Sequence, residues 1–188
     1  IIMADKLLVI AHPDDEVLWG GANLFAQRGW YVLCATNTDL NNSKSMNNSL
    51  NVKNKNTRSW DFYKTMAECG VLEYKICNVR DVYTNNFNEA YANYNSKGTS
   101  SFVKELTNLQ KRKWKLVLTH NAEGEYGHVA HMAVHHLVKH YYPKAKFFNW
   151  SIVNSASIPK NIHTQLLEKK YNALRWYARN QDIAKKTH

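Results

Sequence analysis

The chain has 188 residues, 44% of them apolar, which gives one domain with a proper core and excludes a chain too polar to fold. Its formal charge of +10 attracts anionic partners or substrates at long range, but the basic residues fall in short scattered runs (111–113, 169–170, 185–186) with no recognition motif, so nucleic acid is not the expected partner. No stretch is long and apolar enough to span a membrane, the run at 7–11 is too short for a signal peptide, and Cys34, Cys69 and Cys77 lie inside apolar segments as buried, reduced thiols, so a cytoplasmic protein is expected.

Short β-rich runs alternate with helical patterns along the chain. The first strand is expected at 6–11 and a helix at 16–28. A strand at 31–36 leads into 37–56, a stretch of asparagine, serine and lysine that cannot bury much apolar area. A helix at 57–69 and a strand at 74–79 follow. Residues 81–99 read as a loop carrying Tyr83, Phe87, Tyr91 and Tyr94 among asparagines, aromatics suited to wall a sugar ring or to pin the loop. The pattern ends with a helix at 100–113, a strand at 116–120, a helix at 128–140, a strand at 146–153 and a helix at 164–178. The strands are near-continuously apolar, as central parallel strands covered on both faces are. Strand–helix alternation then implies right-handed crossovers. The expected fold class is α/β, a Rossmann-like three-layer α/β/α sandwich with a mostly parallel sheet, as a single domain over 1–188.

In open α/β sheets, sites form beyond the carboxyl ends of the strands. His12 follows the first strand, Asn37 to Asp39 the second, Arg80 and Asp81 the third, and the loop 123–128 the fourth, so the chemically interesting segments share one edge. The densest is Ala11-His12-Pro13-Asp14-Asp15-Glu16. Three carboxylates in one turn repel one another unless a cation neutralises them. His12 and Asp15, three residues apart, can converge on one divalent ion. A third ligand is expected from the histidine cluster at 128–136, where His131 and His135, four apart, compete. Two histidines and an aspartate with the fourth position left to water is the arrangement of a catalytic zinc. Asp14 and Glu16 remain as candidate bases, although the helix dipole accounts for Glu16 in a first turn. Ordinary readings stand beside the functional ones for Arg58 (a surface salt bridge), Tyr126 (packing of a glycine-rich turn) and Asp81 (a loop cap).

These residues resemble the zinc-dependent N-acetylglucosaminyl deacetylases of the PIG-L/LmbE type. The run at 11–16 is similar to that family's hallmark, and Gly127-His128-Val129-Ala130-His131 resembles its second histidine motif. Arg58-Ser59-Trp60-Asp61 with Cys69-Gly70-Val71 resembles its Arg-x-x-Glu helix, and Lys170-Tyr171-Asn172-Ala173-Leu174 with Gln181 its C-terminal helix. The resemblance runs in order along almost the whole chain. It implies that His12, Asp15 and His131 bind Zn2+, with His135 a packed histidine. It further implies that Asp14 is the general base, that His128 stabilises or protonates the tetrahedral intermediate, and that Tyr126 assists at the oxyanion. Arg58 and Asp81 match positions that hold the sugar or its aglycone. Two departures bear on this: Asp61 replaces the usual Glu, and Ala130 stands where relatives commonly have Asp, which affects the protonation of His128. The implied reaction is hydrolytic removal of the N-acetyl group from an N-acetylglucosamine-type sugar or conjugate, and the basic charge favours an anionic conjugate. Alternatives are a zinc amidase acting on a non-sugar amide and a sugar-binding domain on a degenerate scaffold; the intact ligand set and Asp14 argue against the second.

Overall fold

The computed structural model describes residues 3–41, 57–96, 100–148 and 160–178. Five strands, β1 (Lys6–Ile10), β2 (Trp30–Cys34), β3 (Glu73–Ile76), β4 (Leu116–Thr119) and β5 (Lys146–Phe147), form one sheet in the order β3-β2-β1-β4-β5, every pair parallel. The helices are α1 (Asp15–Leu18), α2 (Gly21–Ala26), α3 (Arg58–Glu68), α4 (Phe87–Tyr94), α5 (Ser101–Leu109), α6 (Gly124–Gly127), α7 (Val129–Tyr141) and α8 (Lys160–Ala178).

Side chains of a strand alternate between the two faces of its sheet, so a central strand needs apolar residues at every position. β1 follows this rule. Leu7 and Val9 join Tyr31, Leu33, Phe102, Leu106, Val134 and Leu137 in one buried cluster, closed by α4, α5 and α7. Leu8 and Ile10 join Val32, Cys34, Leu24, Phe62, Met66 and Tyr177 in the other, closed by α2, α3 and α8. The three-layer parallel architecture expected from the sequence is the one observed. Cys34 and Cys77 are buried as expected, whereas Cys69, at the end of α3, is partly exposed; all three are free thiols. Among the described residues, no helix is long and apolar enough to cross a membrane.

The structure differs from the expected elements in two places. Residues 16–28 are two helices rather than one, because the chain breaks at Gly20, where a Cβ would lie 2.8 Å from the Glu16 carbonyl oxygen and 3.0 Å from the Leu8 side chain. The segment 81–99 is not loop throughout: Asn86 accepts from the Asn88 and Glu89 N–H groups and starts α4. Phe87, Tyr91 and Tyr94 have the i, i+4, i+7 spacing of one helical face, and that face packs into the core. Residues 42–56 of the asparagine-rich stretch, 149–153 of the expected last strand and Gln181 lie outside the described residues.

Strand order reverses beside β1. The chain steps outward from β1 to β2 and β3, then returns to lay β4 on the other side of β1. Such a switch point opens a crevice at the carboxyl ends of the two strands. The crevice here lies between Ala11-His12, leaving β1, and His120, leaving β4.

Candidate active site

The turn from β1 into α1 is held by its own side chains. The His12 N–H donates to Asp15 Oδ2 at 2.7 Å, and the Asp14 N–H donates to Glu16 Oε2 at 2.9 Å. Asp14 sits at φ 123°, a conformation that costs a non-glycine residue about 1–3 kcal/mol unless its surroundings impose it. Glu16 stands in the first turn of α1, as expected. It is fully buried, and its second oxygen bonds to the Tyr177 hydroxyl of α8. Burial pushes its carboxyl up to about 8. At neutral pH it is therefore a neutral acid, accepting from the Asp14 N–H and from the Tyr177 hydroxyl.

Imidazoles from three segments meet Asp15. Its Oδ2 lies 3.3 Å from His12 Nδ1, 3.4 Å from His131 Nε2 and 3.5 Å from His120 Nε2. The His128 ring stacks on that of His131, with centroids 4.4 Å apart and planes within 6°. Two overlapping sets bring their donor atoms within 4.8 Å of one another, His12/His128/His131 and Asp15/His120/His131. His131 belongs to both. His135 belongs to neither, and its Nδ1–H donates to the His120 carbonyl at 2.8 Å.

Hydrogen bonding separates the two sets. The Ala11 N–H donates to His120 Nε2 at 3.0 Å, so that lone pair is taken and the proton sits on Nδ1, donated to Glu125 Oε2 at 2.8 Å. His131 Nδ1 donates to the same oxygen at 2.6 Å, which leaves a lone pair on Nε2. That atom and His12 Nε2 are buried without a hydrogen-bond partner. Asp81 Oδ1 lies 3.4 Å from His12 Nε2, outside hydrogen-bond geometry. Lone pairs facing carboxylates at these distances require a positive charge between them. Burial disfavours protonated His12, but the adjacent Asp15 and Asp81 carboxylates overrule burial and lift its pKa to about 10. The site thus holds a proton on His12 or a cation in its place, and imidazole nitrogens with one carboxylate suit an ion of the zinc type.

The surrounding groups are set by three loops. Asp39, beyond β2, accepts from the Arg58 and Ser59 N–H groups at 3.2 and 3.3 Å and fixes the start of α3. Arg58 in turn pairs with Asp14 Oδ2. Burial raises the Asp14 carboxyl to about 6, with Arg58 opposing. The His128 Nδ1 accepts from the Ala130 N–H at 3.3 Å and caps α7. Burial, followed by the charges of His12 and His131, pushes His128 down to about 4, so it is neutral with its proton on Nε2. Tyr126 is 63% exposed, its ring 5.9 Å from Trp19 and 5.6 Å from His128. Beside it opens a cavity of about 480 Å³ lined by residues 81–85 and 126–129. Tyr83, 87% exposed, lines it, whereas Tyr94 is buried with its hydroxyl 2.9 Å from Thr36 Oγ1.

All of the residues singled out from the sequence, His12, Asp14, Asp15, Arg58, Asp81, Tyr126, His128 and His131, come to this one edge. His120, Glu125 and Tyr177 were missed, and Glu16 was set aside. The available signal was a histidine closing an apolar strand next to the strand of His12, and a glutamate between two glycines where the chain turns.

A sequence profile of the GlcNAc-PI de-N-acetylase (PIG-L) family matches residues 7–142. An uncharacterised protein of Acanthamoeba polyphaga mimivirus is 33% identical over 135 residues, covering 72% of this chain. The chain spans only 56% of that relative's length. Among solved structures, the N,N'-diacetylchitobiose deacetylase of Pyrococcus horikoshii, complexed with its inhibitor MPG, matches with a TM-score of 0.58 at 16% identity, over 98% of this chain and 74% of that one. At that identity the likeness is one of fold. The profile, by contrast, runs through the turn after β1 and the histidine motif that opens α7, and by that match the chain belongs to the PIG-L, or GlcNAc-PI de-N-acetylase, family.

Proposed function

We propose that this protein is a zinc-dependent hydrolase that removes the acetyl group from an N-acetylglucosamine-type amino sugar or conjugate and releases acetate. The observation that carries the reading is the pair of buried, unpartnered imidazole nitrogens, His12 Nε2 facing Asp81 at 3.4 Å and His131 Nε2 facing Asp15 at 3.4 Å, with the Asp14 carboxylate in the same turn. Family membership supports the deacetylase chemistry. His12, Asp15 and His131 would hold Zn2+. A bound zinc ion supplies Lewis acidity, polarising an amide carbonyl and lowering the pKa of water towards about 7.

The chain's own residues do the rest. Asp14, with its carboxyl near 6, accepts a proton from the attacking water at neutral pH and returns it to the leaving amine. Arg58 aims that carboxylate. His128 presents its Nε2–H, and Tyr126 its hydroxyl, to the oxygen that gains charge as the carbonyl is attacked. Neutral His128 is here a hydrogen-bond donor rather than an acid, because no carboxylate occupies position 130. Asp81 and Tyr83 face the cavity, whose size suits a sugar and part of its aglycone. The charge of +10 favours an anionic aglycone.

Metal analysis of purified protein, followed by a screen of acetylated amino sugars for released amine, tests the reading. Chelator-sensitive release from N-acetylglucosamine conjugates is the expected result. Release only from non-sugar acetamides would replace the substrate class, and sugar binding without hydrolysis would replace the enzyme by a binding domain.

A further inference from the structure

Glu125 faces neither the cavity nor the unpartnered nitrogens, and the reaction just described does not use it. Its geometry is nevertheless tightly constrained. It holds φ 61°, a left-handed backbone that glycine favours, between two glycines that also have positive φ, Gly124 and Gly127 nearby in the same turn. A reciprocal pair of bonds with Asn121 fixes it: Asn121 N–H donates to Oε1 and Glu125 N–H donates to Asn121 Oδ1, both at 2.9 Å. Its remaining oxygen, Oε2, accepts from His120 Nδ1 at 2.8 Å and from His131 Nδ1 at 2.6 Å. The two rings lie stacked at 3.9 Å.

We infer that Glu125 is a positioning residue that selects, with one oxygen, the tautomers of two histidines and so decides which of them is a metal ligand. By taking both Nδ1–H groups it turns both Nε2 lone pairs towards Asp15. The His120 lone pair is consumed by the Ala11 N–H, which ties the end of β1 to β4. The His131 lone pair is left open. Without the Glu125 carboxylate, His131 has no acceptor holding its proton on Nδ1, and Nε2–H can turn to Asp15 Oδ2, 3.4 Å away, closing the ligand position with a hydrogen bond. The inference rests on the proposed metal site for its effect on zinc, but its effect on the tautomers is independent of any metal.

The test therefore has two arms. In metal-free wild-type protein, long-range ¹H–¹⁵N NMR should find the ring proton of both His120 and His131 on Nδ1; a His131 proton on Nε2 overturns the inference without reference to zinc or to any variant. In the second arm, zinc affinity is measured by chelator competition for wild type, Glu125→Gln and Glu125→Gly. Glycine suits the positive φ and removes the carboxylate, so it separates backbone strain from the bonds to the histidines. Loss of an outer-shell partner typically weakens metal binding about 10–100-fold, and that loss is expected for both variants, together with Nε2–H signal at His131. Variants with a lowered melting temperature but wild-type zinc affinity and tautomers would show Glu125 to be structural and overturn it. Should wild type bind no zinc while its tautomers are as stated, the metal reading fails and the role of Glu125 in tautomer selection stands.

Discussion

Glu16 offers a direct way to weigh the carboxyl buried in the turn at 12–16. Its side chain accepts from the Asp14 N–H and bonds to the Tyr177 hydroxyl with no exposure to water. One oxygen of the acid faces each partner. Glutamine has the same shape, can face the same two groups, and carries no proton to lose. Burial lifts the Glu16 carboxyl from 4.5 to about 8. Between those values the folded protein holds a proton that the unfolded chain has released, so wild-type stability falls as pH rises through the window and is level above it. At about 1.4 kcal/mol per pH unit, the loss reaches about 3 kcal/mol at pH 7 and about 5 kcal/mol above pH 8. Glu16→Gln escapes it. Urea unfolding of both proteins, in a chelator so that metal binding adds no pH dependence, should give nearly equal stabilities at pH 4.5 and a variant that gains on wild type up to pH 8. Groups that do not interact with Glu16 cancel in the difference, which leaves Glu16 and its neighbour Asp14 as the terms that remain. Curves that run parallel from pH 4.5 to 9 would refute the reasoning, because they would mean that Glu16 releases its proton as readily when folded as when unfolded.

Purified protein is expected to carry about one zinc per chain through three protein ligands; His131→Ala should lose it and His135→Ala should keep it, as read by elemental analysis, and the opposite pattern would reverse the ligand assignment. Asp14→Asn keeps the side-chain size, and asparagine tolerates positive φ, so zinc should stay bound and KM should move little while kcat falls by roughly 10²–10⁴-fold. Near-normal kcat in that variant would transfer the base role elsewhere. Tyr83→Ala should raise KM about fivefold, the equivalent of about 1 kcal/mol, with an unchanged melting temperature. Tyr94→Phe, which strands the Thr36 hydroxyl, should instead cost about 1–3 kcal/mol of stability at unchanged KM; interchanged effects would show that the cavity wall has been misassigned.

The sheet was legible because β1, β2 and β4 are apolar at consecutive positions, a pattern that only strands covered on both faces sustain. The ligand turn was legible because carboxylates and an imidazole at 12–16 make little sense without a cation. The break after α1 was not, since nothing local tells a glycine that tolerates a helix from one, like Gly20, whose Cβ would come within 3.0 Å of Leu8 and the Glu16 carbonyl. Helix α4 hid behind the asparagines that flank its aromatics. The roles of His120 and Glu125 depend on bonds to Ala11 and His131, and those arise from the adjacency of β1 and β4, separated by more than a hundred residues in sequence. For the same reason His131 and His135 could not be ranked by spacing alone; what distinguishes them is that one ring faces Glu125 and the other the His120 carbonyl.

The bond between Glu16 and Tyr177 joins residues 161 positions apart, and Lys170 Nζ reaches back from the same helix to the Leu18 carbonyl at 3.1 Å. The order of synthesis thereby enters the chemistry. During translation the turn at 12–16 emerges before α8, and its buried acid lacks the Tyr177 hydroxyl until α8 arrives. Closing so long a loop is slow, so Asp14, the proposed proton acceptor, takes its final geometry late. Until α8 docks, Glu16 keeps only the Asp14 N–H as its partner and the turn lacks its tie to the Tyr177 hydroxyl. Amide exchange at Asp14 reports on this state in the finished protein, and removal of the Tyr177 hydroxyl should speed it while leaving the amides of β1 protected.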